Sequence, residues 1–159
     1  MDPKSTPYND YEQPADALAL LQADHQRLSD LFALYAATEK VETKFGLAYQ
    51  IFRALETHAQ LEENVLYPAV HEETDEGPEL VKASLEAHQT MKQLMQELRS
   101  MAYNTDAFDA KFHELMHNVE RHVAEEEAAM FPLAREALAD DLDALMEEMQ
   151  MLKADLQGS

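Results

Sequence analysis

The chain has 159 residues, 46% of them hydrophobic, and a formal net charge of −20 from 32 Asp and Glu against 12 Lys and Arg. That length favours one folded unit with a real core, and the charge opposes binding to nucleic acid or to an anionic membrane. There is no Cys, so disulfides, thiolate metal sites, iron–sulfur clusters and a Cys nucleophile are excluded.

Only three Gly interrupt the chain, and Ala, Leu, Glu, Gln and Met are abundant; this balance favours helices over sheet. No apolar run is long enough to span a membrane. The first residues lack a basic stretch followed by an apolar one, and a cytoplasmic location is expected. With Pro3, Pro7 and Pro14 among polar residues, residues 1–15 read as an extended arm.

From about Asp16 to Thr38, Leu18, Leu21, His25, Leu28, Phe32 and Tyr35 recur at spacings of three and four, which predicts a first helix. A second, from about Glu42 to Tyr67, carries Ile51, Leu55, His58, Glu62, Val65 and Leu66 on its inner stripe, and Pro68 is expected to end or kink it. Residues 72–78 read as a loop, as does the stretch holding His71. A third helix follows from Pro78 to about Tyr103, with Val81, Leu85, His88, Met91 and Met95 inward. Asn104, Thr105 and Asp106 form a turn and cap. The fourth helix reaches about Phe131 through Phe112, Leu115, Val119, His122, Glu126, Ala129 and Met130, with Pro132 as its stop. Leu142, Leu145, Met146, Met149 and Leu156 mark an amphipathic fifth segment, from about Asp140, expected to pack on the bundle or to make a dimer contact.

The chain repeats itself. His58-Ala-Gln-Leu-Glu62-Glu63-Asn-Val-Leu-Tyr67-Pro68 and His122-Val-Ala-Glu125-Glu126-Glu127-Ala-Ala-Met-Phe131-Pro132 share one pattern at an offset of 64 residues, and His25 and His88 stand in matching contexts at an offset of 63. A two-helix hairpin occurring twice predicts an all-α, up-down-up-down four-helix bundle over 16–135, with the arm before it and the additional C-terminal helix of 136–159 on it.

Residues four apart on a helix share a face, so His58 and Glu62 point together, as do His122 and Glu126. Glu125 also lies on that side, but its match in the first copy is Leu61. Glu63 and Glu127 should face solvent or a neighbouring helix. Two buried carboxylates without a cation would each cost several kcal/mol, on the order of a buried unpaired charge. Four His and two Glu are too many for one tetrahedral zinc. They suit two ions, each with two His, bridged by both Glu. Nitrogen and oxygen donors without sulfur fit iron, manganese or zinc. Lys92 shares the face of His88 and is expected to extend its amine outward. His113 and His117 fall on the outer face of the fourth helix.

This constellation resembles the hemerythrin-like, or HHE cation-binding, family across about Asp16 to Pro132, through His25, His58, Glu62, His88, His122 and Glu126. The resemblance implies a non-haem centre of two iron ions, oxo- or hydroxo-bridged, that reacts with O2, peroxide or NO, with zinc or manganese as alternative ions. Oxygen-carrying hemerythrins have a fifth His on the third helix, where this chain has Ser84 and Lys92 around His88. The absence tilts the expectation from reversible carriage towards redox chemistry or sensing, and the expected role is oxidative or nitrosative stress handling or iron homeostasis. A redox sensor signalling to a partner protein, and an oxygen carrier, remain the alternative classes. If it is an enzyme, a peroxide- or NO-handling oxidoreductase is expected, as a monomer or homodimer.

Overall fold

The structure, a computed structural model, describes residues 14–158. The N-terminal arm therefore lies almost entirely outside the described residues. Among those described, every regular element is helical, and no helix is long and apolar enough to cross a membrane.

Helix α1 (Ala17–Ala37) starts at Asp16, whose side chain accepts the Ala19 amide at 3.0 Å and meets Arg135 at 3.0 Å. The carboxylate satisfies one of the amides a helix start leaves unpaired. Helix α2 (Val41–Leu61) runs antiparallel to α1, and α4 (Gly77–Arg99) and α5 (Asp106–Glu125) form the second hairpin. Thr105 caps α5 by accepting the Phe108 amide at 3.1 Å. The result is the expected up-down-up-down bundle. Helix α7 (Leu142–Gly158) lies along α1 and α2, with Leu142, Leu145 and Met149 buried.

Neither Pro68 nor Pro132 ends its helix. After α2 the chain makes one π-helical turn, Glu62–Leu66, and continues as α3 (Tyr67–Glu73); after α5 it makes another, Glu126–Met130, and continues as α6 (Phe131–Ala137). The Tyr67 and Phe131 amides donate five residues back, to the carbonyls of Glu62 and Glu126. Each proline follows directly, so its missing N–H falls where the hydrogen-bond register has already slipped, and the wide turn relieves the clash its ring would make. His71 is accordingly on α3, exposed, and not in a loop. The wide turn also changes helical phase, so Ala129, expected inward, is exposed while Met130 is buried. Leu85 is 42% exposed because the inward line of α4 runs through Val81, Ser84 and His88. Leu156 is also turned outward, at 36%.

Between α3 and α4 only three residues intervene, and the fit is tight. A Cβ on Gly77 would overlap the Val70 carbonyl and the Thr74 hydroxyl. Gly77→Ala is expected to lower stability by roughly 1–3 kcal/mol, the usual range for forced overpacking. Thermal or urea unfolding of the variant measures it, and an unchanged midpoint would mean the loop yields freely.

Two apolar layers fill the bundle. One holds Leu28, Leu55, Met91, Phe112, Leu115 and Val119; the other holds Leu21, Leu61, Leu66, Tyr67, Met130 and Phe131, together with the buried face of α7. The inward His and Glu lie in a polar belt between them.

Candidate metal centre

His25 comes from α1, His58 from α2, His88 from α4 and His122 from α5, while Glu62 and Glu126 are the first residues of the two π turns. A π turn adds one residue without ending the helix, so the carboxylate stays on the face of its His while the following aromatic is also swung inward. Glu62 is 0% and Glu126 3% exposed, and His25, His58 and His88 are buried.

The fold brings all six donors together. His25, His58, Glu62 and Glu126 form one group whose ligand atoms lie within 4.8 Å of one another, and Glu62, His88 and His122 form a second. Each carboxylate spans the two groups. Glu62 turns Oε2 towards His58 Nε2 (3.2 Å) and Oε1 towards His88 Nε2 (3.0 Å). Glu126 turns Oε1 towards His25 Nε2 (3.4 Å) and Oε2 towards His122 Nε2 (3.5 Å).

The far sides of the rings are held as well. His25 Nδ1 lies 2.7 Å from Glu127 Oε2, His88 Nδ1 lies 2.7 Å from Glu63 Oε2, and His58 Nδ1 lies 3.0 Å from Asp24 Oδ2. An ionised carboxylate only accepts, so each Nδ1 donates its proton, and a ring without a second proton presents a lone pair at Nε2. His25 Nε2 and His58 Nε2 then face each other at 3.0 Å. Two lone pairs so placed repel unless a cation lies between them or one ring takes a second proton. Glu62 Oε2 and Glu126 Oε1 are buried with no hydrogen-bond partner among the described residues. Opposed nitrogens and orphaned carboxylate oxygens are what a site built for a cation presents when judged by its protein atoms alone.

The charges show the same strain. Burial works against a proton on His58, yet the Glu62 charge and the Asp24 hydrogen bond outweigh it and hold the ring well above its ordinary pKa. His88 is raised too, burial being overcome by Glu62 and Glu63. Burial, reinforced by the Glu62 charge, pushes Glu126 up to about 7. For Glu62 burial is overcome by the His58 charge, which holds its carboxyl well below the usual range.

Two contributors were not singled out from spacing. Tyr67 places its hydroxyl 2.9 Å from Glu62 Oε1, 2.6 Å from Glu126 Oε2, 3.3 Å from His88 Nε2 and 3.4 Å from His122 Nε2. It occupies the His88/His122 side of the belt. Its repeat partner, Phe131, instead stacks on His25 with centroids 5.6 Å apart. The available signal was the Tyr/Phe difference between the two copies. Asp24 is the second; its repeat partner is Ala87, and no described residue bonds His122 Nδ1 in the way Asp24 bonds His58. Lys92 reaches outward to Glu63 at 3.0 Å with its side chain 44% exposed. His113 is half-buried and bonded to the Asp109 carbonyl, and His117 is exposed.

The sequence profile of the hemerythrin HHE cation binding domain matches residues 16–134. The chain belongs to the hemerythrin HHE family. One similar solved structure is a hemerythrin HHE cation binding domain-containing protein, the Rv2633c homolog from Mycobacterium kansasii, matched at TM-score 0.79 with 19% identity over 91% of this chain and 88% of that one. At that identity the likeness speaks for the fold. Among curated proteins, a hemerythrin-like protein of Schizosaccharomyces pombe is 26% identical over 74% of this chain and 59% of its own length. A protein of Nostoc sp. named DNA nickase is 27% identical over 77% of this chain but only 34% of its own length. The chain thus spans between a third and three fifths of these curated relatives. As a family member it has a cation-binding domain whose His and Glu cluster could hold metal.

Proposed function

We propose that this hemerythrin-like domain holds two iron ions, one on His25 and His58, the other on His88, His122 and the Tyr67 hydroxyl, with Glu62 and Glu126 spanning both, and that the pair reacts with O2, peroxide or NO. The observation that carries the reading is the pair of carboxylates, each offering one oxygen to each half of the cluster. Six N and O donors without sulfur, five of them buried, favour iron or manganese over copper(I), and two groups exceed what one tetrahedral zinc uses. Bound iron would supply the redox change that binding or reduction of these small oxidants requires.

The chain's own residues set the conditions. Leu28, Leu55, Met91, Val119 and Val123 line a narrow apolar space against His58, His88 and His122. At about 10 Å³ it holds no more than a single water-sized guest and keeps bulk water from the three rings. The Tyr67 hydroxyl, buried between two carboxylates, keeps its proton well above the ordinary range in the metal-free belt, and that proton must leave when the oxygen takes its place in the donor set.

Purified protein should carry close to two irons per chain, and rapid mixing of the reduced protein with O2 and then with peroxide distinguishes the readings. Fast peroxide loss marks an enzyme, reversible colouring a carrier, and a shape change without turnover a sensor. One zinc per chain would end the di-iron proposal. Tyr67→Phe should retain the iron while losing a visible charge-transfer absorption from the oxidised protein; an unchanged spectrum would remove Tyr67 from the donor set.

Acid should release the metal. His58, His88 and Glu126 each bind protons above their ordinary range in the metal-free belt, and those protons must leave when a cation enters. Apparent affinity is expected to fall roughly ten-fold per pH unit for each proton displaced as pH drops below about 7, where Glu126 takes up its proton. Competition titrations across that range check it, and a flat affinity would show that these groups are not the donors.

A further inference from the structure

A cleft of about 660 Å³ runs along the outside of the bundle, where the C-terminal part of α7 comes over α2 and α4. Through Arg53 and Thr57, which line both, it continues into a hollow of about 200 Å³ between α1, α2 and α7. Its size is that of a site for a small organic molecule, roughly 300–1,000 Å³.

Its charge runs against that of the chain. Arg53, Lys92 and Arg99 line the larger part, and Arg27, Arg53 and Lys153 the smaller. Five of the chain's 12 basic residues thus gather here, against Glu56 and Asp24 among the lining residues, in a protein of net charge −20. Elsewhere the acidic surface would repel a long polyanion, so the cleft suits a small one. Arg53 is exposed and has no hydrogen bond or ion pair among the described residues. Arg99 pairs with Glu56 at 2.8 Å, but both side chains are more than two-fifths exposed. Such a pair contributes roughly 0–1 kcal/mol, so a ligand anion can take over the guanidinium at little cost.

The other wall is apolar. Met91 and Met95 form its floor, and Tyr49, 52% exposed, and Leu156, 36% exposed, stand at its edge. Arginine forks match phosphate oxygens, and a phenol ring beside methionines suits a flat apolar body. We propose that this cleft binds a phosphate-bearing small molecule with a planar apolar body, of mononucleotide size. The phosphate lies between Arg53 and Arg99, and the planar body rests against Tyr49, Met91 and Met95. This inference does not depend on which metal the belt holds.

The test is equilibrium binding at low ionic strength with three probes: AMP, adenosine and inorganic phosphate. AMP should saturate the full-length protein, and adenosine and inorganic phosphate should each bind at least about ten-fold more weakly, since each engages one wall only. Arg53→Ala should weaken AMP by about five-fold or more, Arg53→Lys by less, and Arg121→Ala, exposed on α5 outside the cleft, should leave it unchanged. Metal content and thermal midpoint of each variant report the fold. The proposal is overturned if AMP shows no saturable binding, if inorganic phosphate binds as well as AMP, or if Arg53→Ala and Arg121→Ala behave alike.

Discussion

Glu62→Ala is expected to strip metal from both halves of the centre, leaving more than roughly ten-fold less metal per chain than the parent protein. Glu62 belongs to both donor groups, with one oxygen 3.2 Å from His58 Nε2 and the other 3.0 Å from His88 Nε2. No other described side chain is within reach of both rings in this way. A single His substitution, at His58 or His122, removes one of at least three donors from one group. The Glu62 change reduces both groups at once and leaves the Tyr67 hydroxyl with Glu126 as its remaining carboxylate partner. Elemental analysis of protein purified in parallel reads the effect directly. Metal content equal to the parent's would show that Glu62 is a structural acid and that the spanning geometry has nothing to do with cations.

The second large effect is at Asp24. Asp24→Ala should weaken cation binding in the His25/His58 half by about 10- to 100-fold, the usual cost of losing the group that orients a ligating His. Asp24 is 8% exposed; Oδ2 holds His58 Nδ1 at 3.0 Å, while Oδ1 faces Arg27 at 3.6 Å and Lys153 of α7 at 3.7 Å. Burial opposes its charge, but the His58 hydrogen bond prevails and its carboxyl stands below the usual range. The matching position in the second copy is Ala87, so His122 has no such support among the described residues. In the parent protein the first ion is therefore expected to enter the His25/His58 half. A stepwise titration against a competing chelator should show two affinities, with Asp24→Ala lowering the tighter one. If only the weaker step moves, the assignment of the halves is reversed and the idea fails.

How much of this could be read from the sequence depended on which physical regularity each residue obeyed. His25, His58, His88 and His122 sit on apolar stripes at spacings of three and four, and a regular helix preserves that phase, so the bundle and its six inward His and Glu side chains were legible. The π turns were not. A five-residue turn leaves no mark on composition, and the Pro after each one reads as a stop because Pro normally is one. That same slip misplaced Ala129 and put His71 in a loop. Glu63 and Glu127 show a different limit. Their angle from the inward His was known, but an angle on one helix does not identify the neighbour it meets, which proved to be His88 and His25. Asp24 sits one residue before His25 and bonds His58, a contact set by how α1 and α2 approach. Tyr67 passed for a helix-end marker because its copy-mate is Phe131, an aromatic with no polar atom.

The crossing of those two glutamates bears on how the molecule came to be divided. Glu63 of the first hairpin steadies His88 of the second, and Glu127 of the second steadies His25 of the first. A hairpin on its own would leave His25 or His88 without the carboxylate that aims it, and only His58, held by Asp24 of its own hairpin, would keep its support. The halves are thus complementary partners rather than self-sufficient modules. Severed within residues 74–76, they should remain poor chelators apart and regain tight cation capture only when mixed.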